Sequence, residues 1–302
     1  MTTPEPELER LYREHRGVVW GLLYRLTGTA ADADELTQET FTRFLAHPPS
    51  DRLAPLRPWL MQVAVNLGRD VLRQRRRQPY LGPWLPSPVE LDIDDDLAGP
   101  AARYQTLESA STAFLVALEE LAPTSRAVLI LRDVLDQSVD ETGCLLGLSA
   151  GNVRVIHHRA RAALDGYERA RPRDDPGPRT LEALHRLMAL MVARDLPGLT
   201  KAVVEDALLV SDAGGEFHAA LQPVRRANPI ARFLLGTSAK LGTDVTLEIR
   251  NLNGLPALVA RSTPTKPKIA PKVVLQLEVE PSGLIRTLRL ISAPRKLTAV
   301  TG

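Results

Sequence analysis

The stretch Ser138–Leu164, SVDETGCLLGLSAGNVRVIHHRARAAL, decides the reading of this chain. Ser138 followed three residues later by Glu141 has the spacing of a capping box, in which side chain and backbone satisfy each other at a helix start. Gly147, Leu148 and Ser149 then make a short turn, with Ser149 placed to cap a second helix. Leu146, Leu148, Val153 and Ile156 supply an inward apolar set, and Gly143 leaves room for a close approach. Two short helices packed this way form a helix-turn-helix. Its outward face carries Asn152, Arg154, His158, Arg159 and Arg161, types that meet phosphates and base edges. From Ser149 to Arg173 six arginines stand against Asp165 and Glu168. An amphipathic helix with a solvated basic face would share that charge, and a helix-turn-helix by itself would say only that the chain binds DNA.

Upstream, Pro58–Arg77 reads PWLMQVAVNLGRDVLRQRRR, with proline at the first helical position and an apolar stripe through Leu60, Val63, Ala64, Leu67 and Val71. The spacing predicts a helix with one buried side. Six arginines between Arg57 and Arg77 face a single acid, Asp70, and the helix also carries Trp59 and Asn66. Cations beside an aromatic and an amide suit single-stranded nucleic acid, where neutralisation and base stacking of about 1–3 kcal/mol per base combine. Trp59 also fits a plain core position. Before this helix, Thr29–Leu45 (TAADADELTQETFTRFL) has Thr29 and Asp32 at capping-box spacing and acids at 32, 34, 35 and 39. Leu36, Phe41, Phe44 and Leu45 suit a packed face, whereas Glu35, Gln38 and Glu39 look outward. An acidic helix of this kind is a protein-docking surface rather than a DNA contact.

The ordered set DELTQETFTRFL, RPWLMQVAVNLGRDVLRQRRR and LLGLSAGNVRVIHHRARAAL closely resembles bacterial sigma factors of the extracytoplasmic-function group, over about the first 170 residues. The resemblance implies that Glu35, Gln38, Glu39 and Phe41 dock on the clamp helices of the largest RNA polymerase subunit, with the flap as a further polymerase contact. It implies that Trp59, Asn66, Arg69, Arg73, Arg75 and Arg76 melt and capture the minus-ten promoter element. Ser149, Asn152, Arg154, His158, Arg159 and Arg161 would read the minus-thirty-five element. The chain departs from the family at Thr142, Gly143 and Cys144, where an aliphatic residue, alanine and a polar residue are usual.

Composition agrees: 302 residues with 44% hydrophobic content suffice for two or three domains, and a net charge of +2 conceals strong local polarity. The acidic run Glu90–Asp96 separates the two arginine-rich segments and reads as a solvated linker. A single cysteine, Cys144, in a helix expected to be packed, excludes an internal disulfide and a cysteine-rich zinc site, so no metal is expected. The N-terminus MTTPEPELER has no apolar core and no window approaches eighteen apolar residues, so a cytoplasmic protein without a membrane span is expected.

Five prolines in 79–100 and three in 172–178 read as joints. The expected organisation is 1–78 (region 2), 79–100 (linker), 101–171 (region 4), 172–178 (linker) and 179–302 (a third domain). Trp84, within YLGPWLPSP, is an aromatic available to dock on a neighbour. The third domain opens with an amphipathic helix (181–194) and turns to alternating stretches at 245–250, 257–262, 273–280 and 284–291, with turns at Asn253-Gly254 and Pro281-Ser282-Gly283. The fold class is thus multidomain: two all-α modules, then an α+β cone with a curved antiparallel sheet.

A first helix, a hairpin around Asp212–Glu216, a helix near 229–235 and a strand meander resemble the SnoaL-like cone of the nuclear-transport-factor-two superfold, which a subgroup of these sigma factors carries. YLGPWLPSP is similar to that subgroup's WLPEP motif with Ser87 in the glutamate place. SDAGGE (211–216) is similar to DGGGK with Ala213 and Glu216 substituted, and APRKL (293–297) to NPDKL with Ala293 and Arg295 substituted. The resemblance implies interdomain contacts through Trp84, Asp212, Gly214 and Gly215, and control of activity in cis.

Relatives of this cone also include enzymes, whose chemistry needs a base and an oxyanion donor. After Tyr167 there is no Tyr or Trp, and His occurs only at 185 and 218. Asp195 reads as a helix cap, and Asp206 and Asp212 flank the hairpin. The expectation is therefore a sigma factor, not an enzyme, using no cofactor. Its partners are core RNA polymerase and promoter DNA, and the cone leaves room for a small ligand. The alternative is a stand-alone helix-turn-helix regulator whose C-terminal domain binds a small molecule and which needs no polymerase-docking face.

Overall fold

Val19, Leu22, Leu23 and Leu26 fall on one side of the first helix, α1 (Glu5–Thr27), and are essentially inaccessible to water. In a computed structural model, which describes residues 5–49, 55–90, 109–170 and 175–301, this stripe meets two further helices, α2 (Ala30–Ala46) and α3 (Leu56–Arg77). The acidic run at 91–96 and residues 1–4 lie outside the described residues. Thr29 precedes α2 without a side-chain capping bond, contrary to the expected capping box. It is buried at the α1–α2 corner, where its amide donates to the Thr27 hydroxyl instead (3.4 Å).

Helix α3 is not one-sided as its sequence suggested. Its buried residues are Leu60, Met61, Ala64, Val65, Gly68 and Leu72, while Val63, Leu67 and Val71 are half-buried. The reason is that α3 touches α1, α2 and also helices of the next segment, so it is enclosed on more than one side. That segment contains α4 (Thr112–Leu118), capped by Ser111, then α5 (Pro123–Leu129), with proline in its first turn, and a π-helical turn (Ile130–Val134). The helix-turn-helix follows as α6 (Val139–Leu146) and α7 (Ala150–Ala163), with the short α8 (Asp165–Ala170) behind it. Residues 1–79 and 98–171 form one compact unit.

The expected capping box is present: the Ser138 amide donates to Glu141 (2.7 Å) and the Glu141 amide to the Ser138 hydroxyl (3.1 Å). Gly143 makes room for the turn, where a Cβ would lie 2.6 Å from the Leu148 carbonyl oxygen, and for the second helix, whose Val153 methyl would lie 3.8 Å from it. Leu145, Leu146 and Val153 are buried and Ile156 is half-buried. Cys144, expected to be packed, is exposed, because α6 turns its 142–143 and 145–146 positions inward. Thr142, standing where the family is usually aliphatic, is buried, and its hydroxyl has no hydrogen-bond partner among the described residues.

The second unit comprises residues 80–97 and 172–302. Its helices are α9 (Gly177–Val192), α10 (Leu196–Lys201), which Asp195 caps through the Gly198 amide at 2.9 Å, and α11 (Ala227–Ser238). Its strands are β1 (Val203–Asp212), β2 (Val224–Arg225), β3 (Thr243–Leu252), β4 (Leu255–Thr263), β5 (Lys272–Val279) and β6 (Ile285–Ile291). They form one sheet in the order β2-β1-β6-β5-β4-β3. The sheet is mixed rather than wholly antiparallel, because α11 carries the chain to the far edge and the returning meander brings β6 beside β1 in the same direction. Leu184, Leu187, Ile230, Leu234, Leu275, Leu277 and Leu288 fill the space between helices and sheet.

Replacing Gly143 with alanine should push the turn away from α6 and cost about 1–3 kcal/mol, as overpacking does. Gly151, in the first turn of α7, has open space around a Cβ. Its replacement by alanine should gain about 0.5 kcal/mol, and urea unfolding of the two variants measures the contrast.

Candidate nucleic-acid and polymerase interface

On α7 the residues Asn152, Arg154, His158 and Arg159 are exposed along one face, as the spacing predicted. The Ser149 hydroxyl is used locally, accepting from the Asn152 amide at 3.3 Å. Arg161 is 65% exposed, and its Nε donates to Asp133 on the π turn (2.9 Å). That hydrogen bond and the charge of Asp133 push the Arg161 pKa further up. The other Asp133 oxygen is 2.7 Å from His157 Nε2. Thus a carboxylate outside the motif holds two residues of α7. His157 and Asp133 escaped sequence reading because they lie 24 positions apart and meet only in the packed form. Val155, 49% exposed beside Arg154, was also overlooked; its position between outward residues was the available signal, and an apolar group there suits a thymine methyl.

The arginines of α3 have a different environment. Arg69 donates to the Thr124 hydroxyl at 3.1 Å, and Arg76 donates to the Leu121 carbonyl. Arg75 reaches the Thr27 carbonyl and both oxygens of Glu119, each at 2.8 Å. Glu119 also pairs with Arg126 of α5 at 2.7 Å, and Arg126, 2% exposed, donates to the Leu26 carbonyl at 2.8 Å. Burial pushes the Arg126 pKa down and Glu119 opposes that shift. Three of the residues assigned to minus-ten capture therefore grip the segment that leads into the helix-turn-helix. Arg73 pairs with Asp70 in its own helix at 2.7 Å, and Asn66 is exposed. Trp59 is half-buried, edge-on to Phe44 with ring centroids 5.9 Å apart. Sequence reading did not single out Arg126 or Glu119.

Of the residues assigned to polymerase docking, Glu35 and Gln38 are exposed on α2, and Glu39 is half-buried beside Arg43 at 2.8 Å. Phe41 is 5% exposed and packs edge-on against Tyr12, so it shapes the helix from below rather than lining its surface. Leu45, expected to be packed, is 50% exposed and shares the outward face with Glu35 and Gln38.

In the second unit, residues 80–90 lie on the cone. Asp212, fully buried, accepts from the Tyr80 hydroxyl (2.6 Å), the Leu85 amide (2.7 Å) and the Gly214 amide (3.0 Å), and it pairs with buried Lys296. Lys296 also donates to the Leu85 carbonyl at 2.5 Å and sits over the rings of Tyr80 (4.8 Å) and Trp84 (4.3 Å). A cation between two aromatic faces gains further attraction where water is excluded. Gly215 takes φ +81 where a Cβ would lie 3.1 Å from Leu81. Further along, Asn253 in the β3–β4 turn donates its amide to the Val89 carbonyl (2.8 Å) and accepts from the Val89 amide (3.3 Å). Asn253, read only as a turn residue, is thus also a clamp.

Among the described residues no helix is long and apolar enough to cross a membrane, and no group of three His, Cys, Asp or Glu side chains has metal-binding geometry.

Residues 11–78 match the family model for sigma-70 region 2, and residues 111–164 that for sigma-70 region 4. The ECF RNA polymerase sigma factor SigJ of Mycobacterium tuberculosis is 35% identical over 238 residues, 78% of this chain and 73% of that protein. The sigma factor SigG of the same organism is 33% identical over 211 residues, 61% of this chain and 56% of its own length. The crystal structure of the M. tuberculosis extracytoplasmic function sigma factor SigJ aligns with a TM-score of 0.72 at 28% identity, covering 96% of this chain and 98% of that one. A match to region 2 as well as to the helix-turn-helix disfavours the stand-alone regulator. With both regions in order and an α+β SnoaL-like domain behind them, the chain belongs to the extracytoplasmic-function sigma factors, initiation factors that bind core RNA polymerase and direct it to promoters.

Proposed function

We propose that the two modules divide promoter recognition by side-chain placement. α7 reads the minus-thirty-five duplex through Asn152, Arg154, His158, Arg159 and Arg161, and α3 captures the minus-ten strand through Trp59, Asn66, Arg69, Arg73, Arg75 and Arg76. Glu35, Gln38 and Glu39, joined by Leu45, dock on the clamp helices, and the helix-turn-helix module approaches the flap. Phe41 supports that face from beneath. The cone, through Trp84, Asp212, Gly214 and Gly215, modulates activity in cis.

The observation that carries this reading is the contrast between the two faces. The α7 cations are presented to solvent, whereas Arg69, Arg75 and Arg76 are bound to carbonyls, a hydroxyl and a carboxylate of the neighbouring segment. Those oxygens occupy the donors that DNA phosphates would take. Promoter elements about two turns of B-DNA apart lie roughly 70 Å from each other. Hence one chain reads both only after α3 and α5 have separated, and binding to core polymerase supplies the energy for that opening.

A small ligand in the cone, if it uses the cleft between Leu81, Ser211, Phe217, His218, Leu221 and Lys268, is a compact one, since that cleft holds about 220 Å³ against the roughly 300 Å³ at which drug-sized pockets start.

Arg154→Ala and Arg159→Ala should each weaken binding to a minus-thirty-five duplex and reduce the salt slope by about one. Arg161→Ala should do less, because Asp133 already neutralises part of its charge. Titrating affinity against salt separates these variants. Glu119→Gln should raise affinity of the polymerase-free chain for a minus-ten single strand several-fold, as measured by fluorescence anisotropy; an unchanged affinity would mean that Arg75 does not take part in capture. Leu45→Glu should reduce core-polymerase binding at least tenfold while duplex DNA binding stays the same.

A further inference from the structure

Residues 80–90 connect the two DNA-reading modules in sequence, yet they are built into the cone. They are pinned at one end by Asp212, Lys296 and Tyr80 and at the other by Asn253 and by Arg250, whose guanidinium pairs with Glu90 at 2.5 Å. Between the pins Leu85, Ser87 and Val89 are buried. This strap changes the reach of the chain. Arg77 ends α3 and stands three residues before Tyr80, so about 10 Å of extended chain ties region 2 to the cone. Ala170 ends α8 and stands seven residues before Gly177, the start of α9, so about 24 Å ties region 4 to the same cone. A compact unit of roughly 150 residues is about 40 Å across. The covalent path from α3 through the cone to α8 therefore spans about 75 Å at most. With the strap detached, the direct chain from Arg77 to Ser111 would allow about 115 Å.

We propose that the docked strap makes the cone a ruler: it limits how far the two DNA-reading modules can part, and so sets the longest spacer between promoter elements that the chain accepts. Asp212, Lys296, Tyr80 and Asn253 thereby become specificity-determining residues without touching DNA. The limit of about 75 Å is close to the two helical turns, roughly 70 Å, that separate the elements. Each added base pair demands about 3.4 Å more. A tether that cannot span its two sites has an effective concentration near zero, so the loss with spacer length is steep rather than gradual. The inference rests on the sigma-factor reading and adds a length rule to it.

The test is run-off transcription with core RNA polymerase on a promoter series whose spacer is lengthened by up to four base pairs. Three chains are compared: the full chain, one with ten Gly/Ser residues inserted between Asp174 and Asp175, and one carrying Asp212→Asn with Lys296→Met. The insertion replaces none of the residues whose contacts are described above and adds about 18 Å of mean reach. The double substitution removes both buried charges together rather than stranding one. At the best spacer the insertion chain should stay within twofold of the full chain, and with two or three added base pairs it should give at least tenfold more transcript. The strap variant should shift the same way. Superimposable spacer profiles for the full and insertion chains would overturn the ruler and leave the sigma reading intact, with polymerase alone setting the spacing. Absence of core-dependent transcripts from every chain at every spacer would overturn the sigma reading and the ruler with it.

Discussion

An arginine side chain keeps its charge at every pH a protein meets, so a buried guanidinium has to find oxygen atoms. Arg126 is 2% exposed and finds them in Glu119 and the Leu26 carbonyl, and the same carboxylate holds Arg75 of α3. The rest of the first unit follows from this junction. It encloses α3 on a second side and draws Arg69 and Arg76 onto Thr124 and Leu121. Removing Glu119 would leave a buried cation with one partner fewer, a loss of about 3–5 kcal/mol where such pairs are fully buried, and less here because Glu119 is 29% exposed. A junction of polar contacts holds its partners in one register and can be exchanged for phosphate contacts when a better-placed anion arrives. An apolar seam of equal area would offer no such exchange.

The second unit solves a related problem with one buried ion pair. Lys296 and Asp212 are both nearly inaccessible, and most of the described atoms that offset their desolvation come from the strap: the Tyr80 hydroxyl, the Leu85 amide and carbonyl, and the rings of Tyr80 and Trp84, with the Gly214 amide added from the cone. Without the strap that pair would lie open to solvent. The strap is therefore part of the cone's core rather than a passenger, and a linker that has been folded into a domain no longer counts toward the reach of the chain. Substitutions relative to the related motifs leave this intact, since Ala293, Arg295 and Ala213 flank the pair without replacing either charge.

The helix-turn-helix was legible in the sequence because its determinants are local: Ser138 with Glu141, Gly143 and Ser149 each act within ten residues of themselves. The α+β character of the cone was equally legible from alternation in its last four strands, though the parallel β1–β6 pairing was not, since it depends on where α11 delivers the chain. The α3 arginines were recognised by type, but their partners lie 44 to 55 positions away and no local pattern announces them. Asn253 illustrates the same limit, because an Asn-Gly turn is explained by backbone geometry alone and gives no local sign that the side chain accepts from Val89 and Gln276. Phe41 is buried against Tyr12, as the periodicity of α2 indicated, whereas Leu45, grouped with the same packed face, is exposed.

The closed arrangement of α3 against the helix-turn-helix module is the central claim about how this chain works, and the distance across it can be measured directly. The single cysteine, Cys144, is exposed on α6, and Gln74 is exposed on α3, so Gln74→Cys provides a labelled pair without removing a native residue of the junction. Pulsed electron–electron resonance on that pair should give a short, narrow distance in the isolated chain. In the complex with core polymerase and promoter DNA it should give a population approaching the roughly 70 Å between promoter elements. An unchanged short distance in a complex that transcribes would contradict the account.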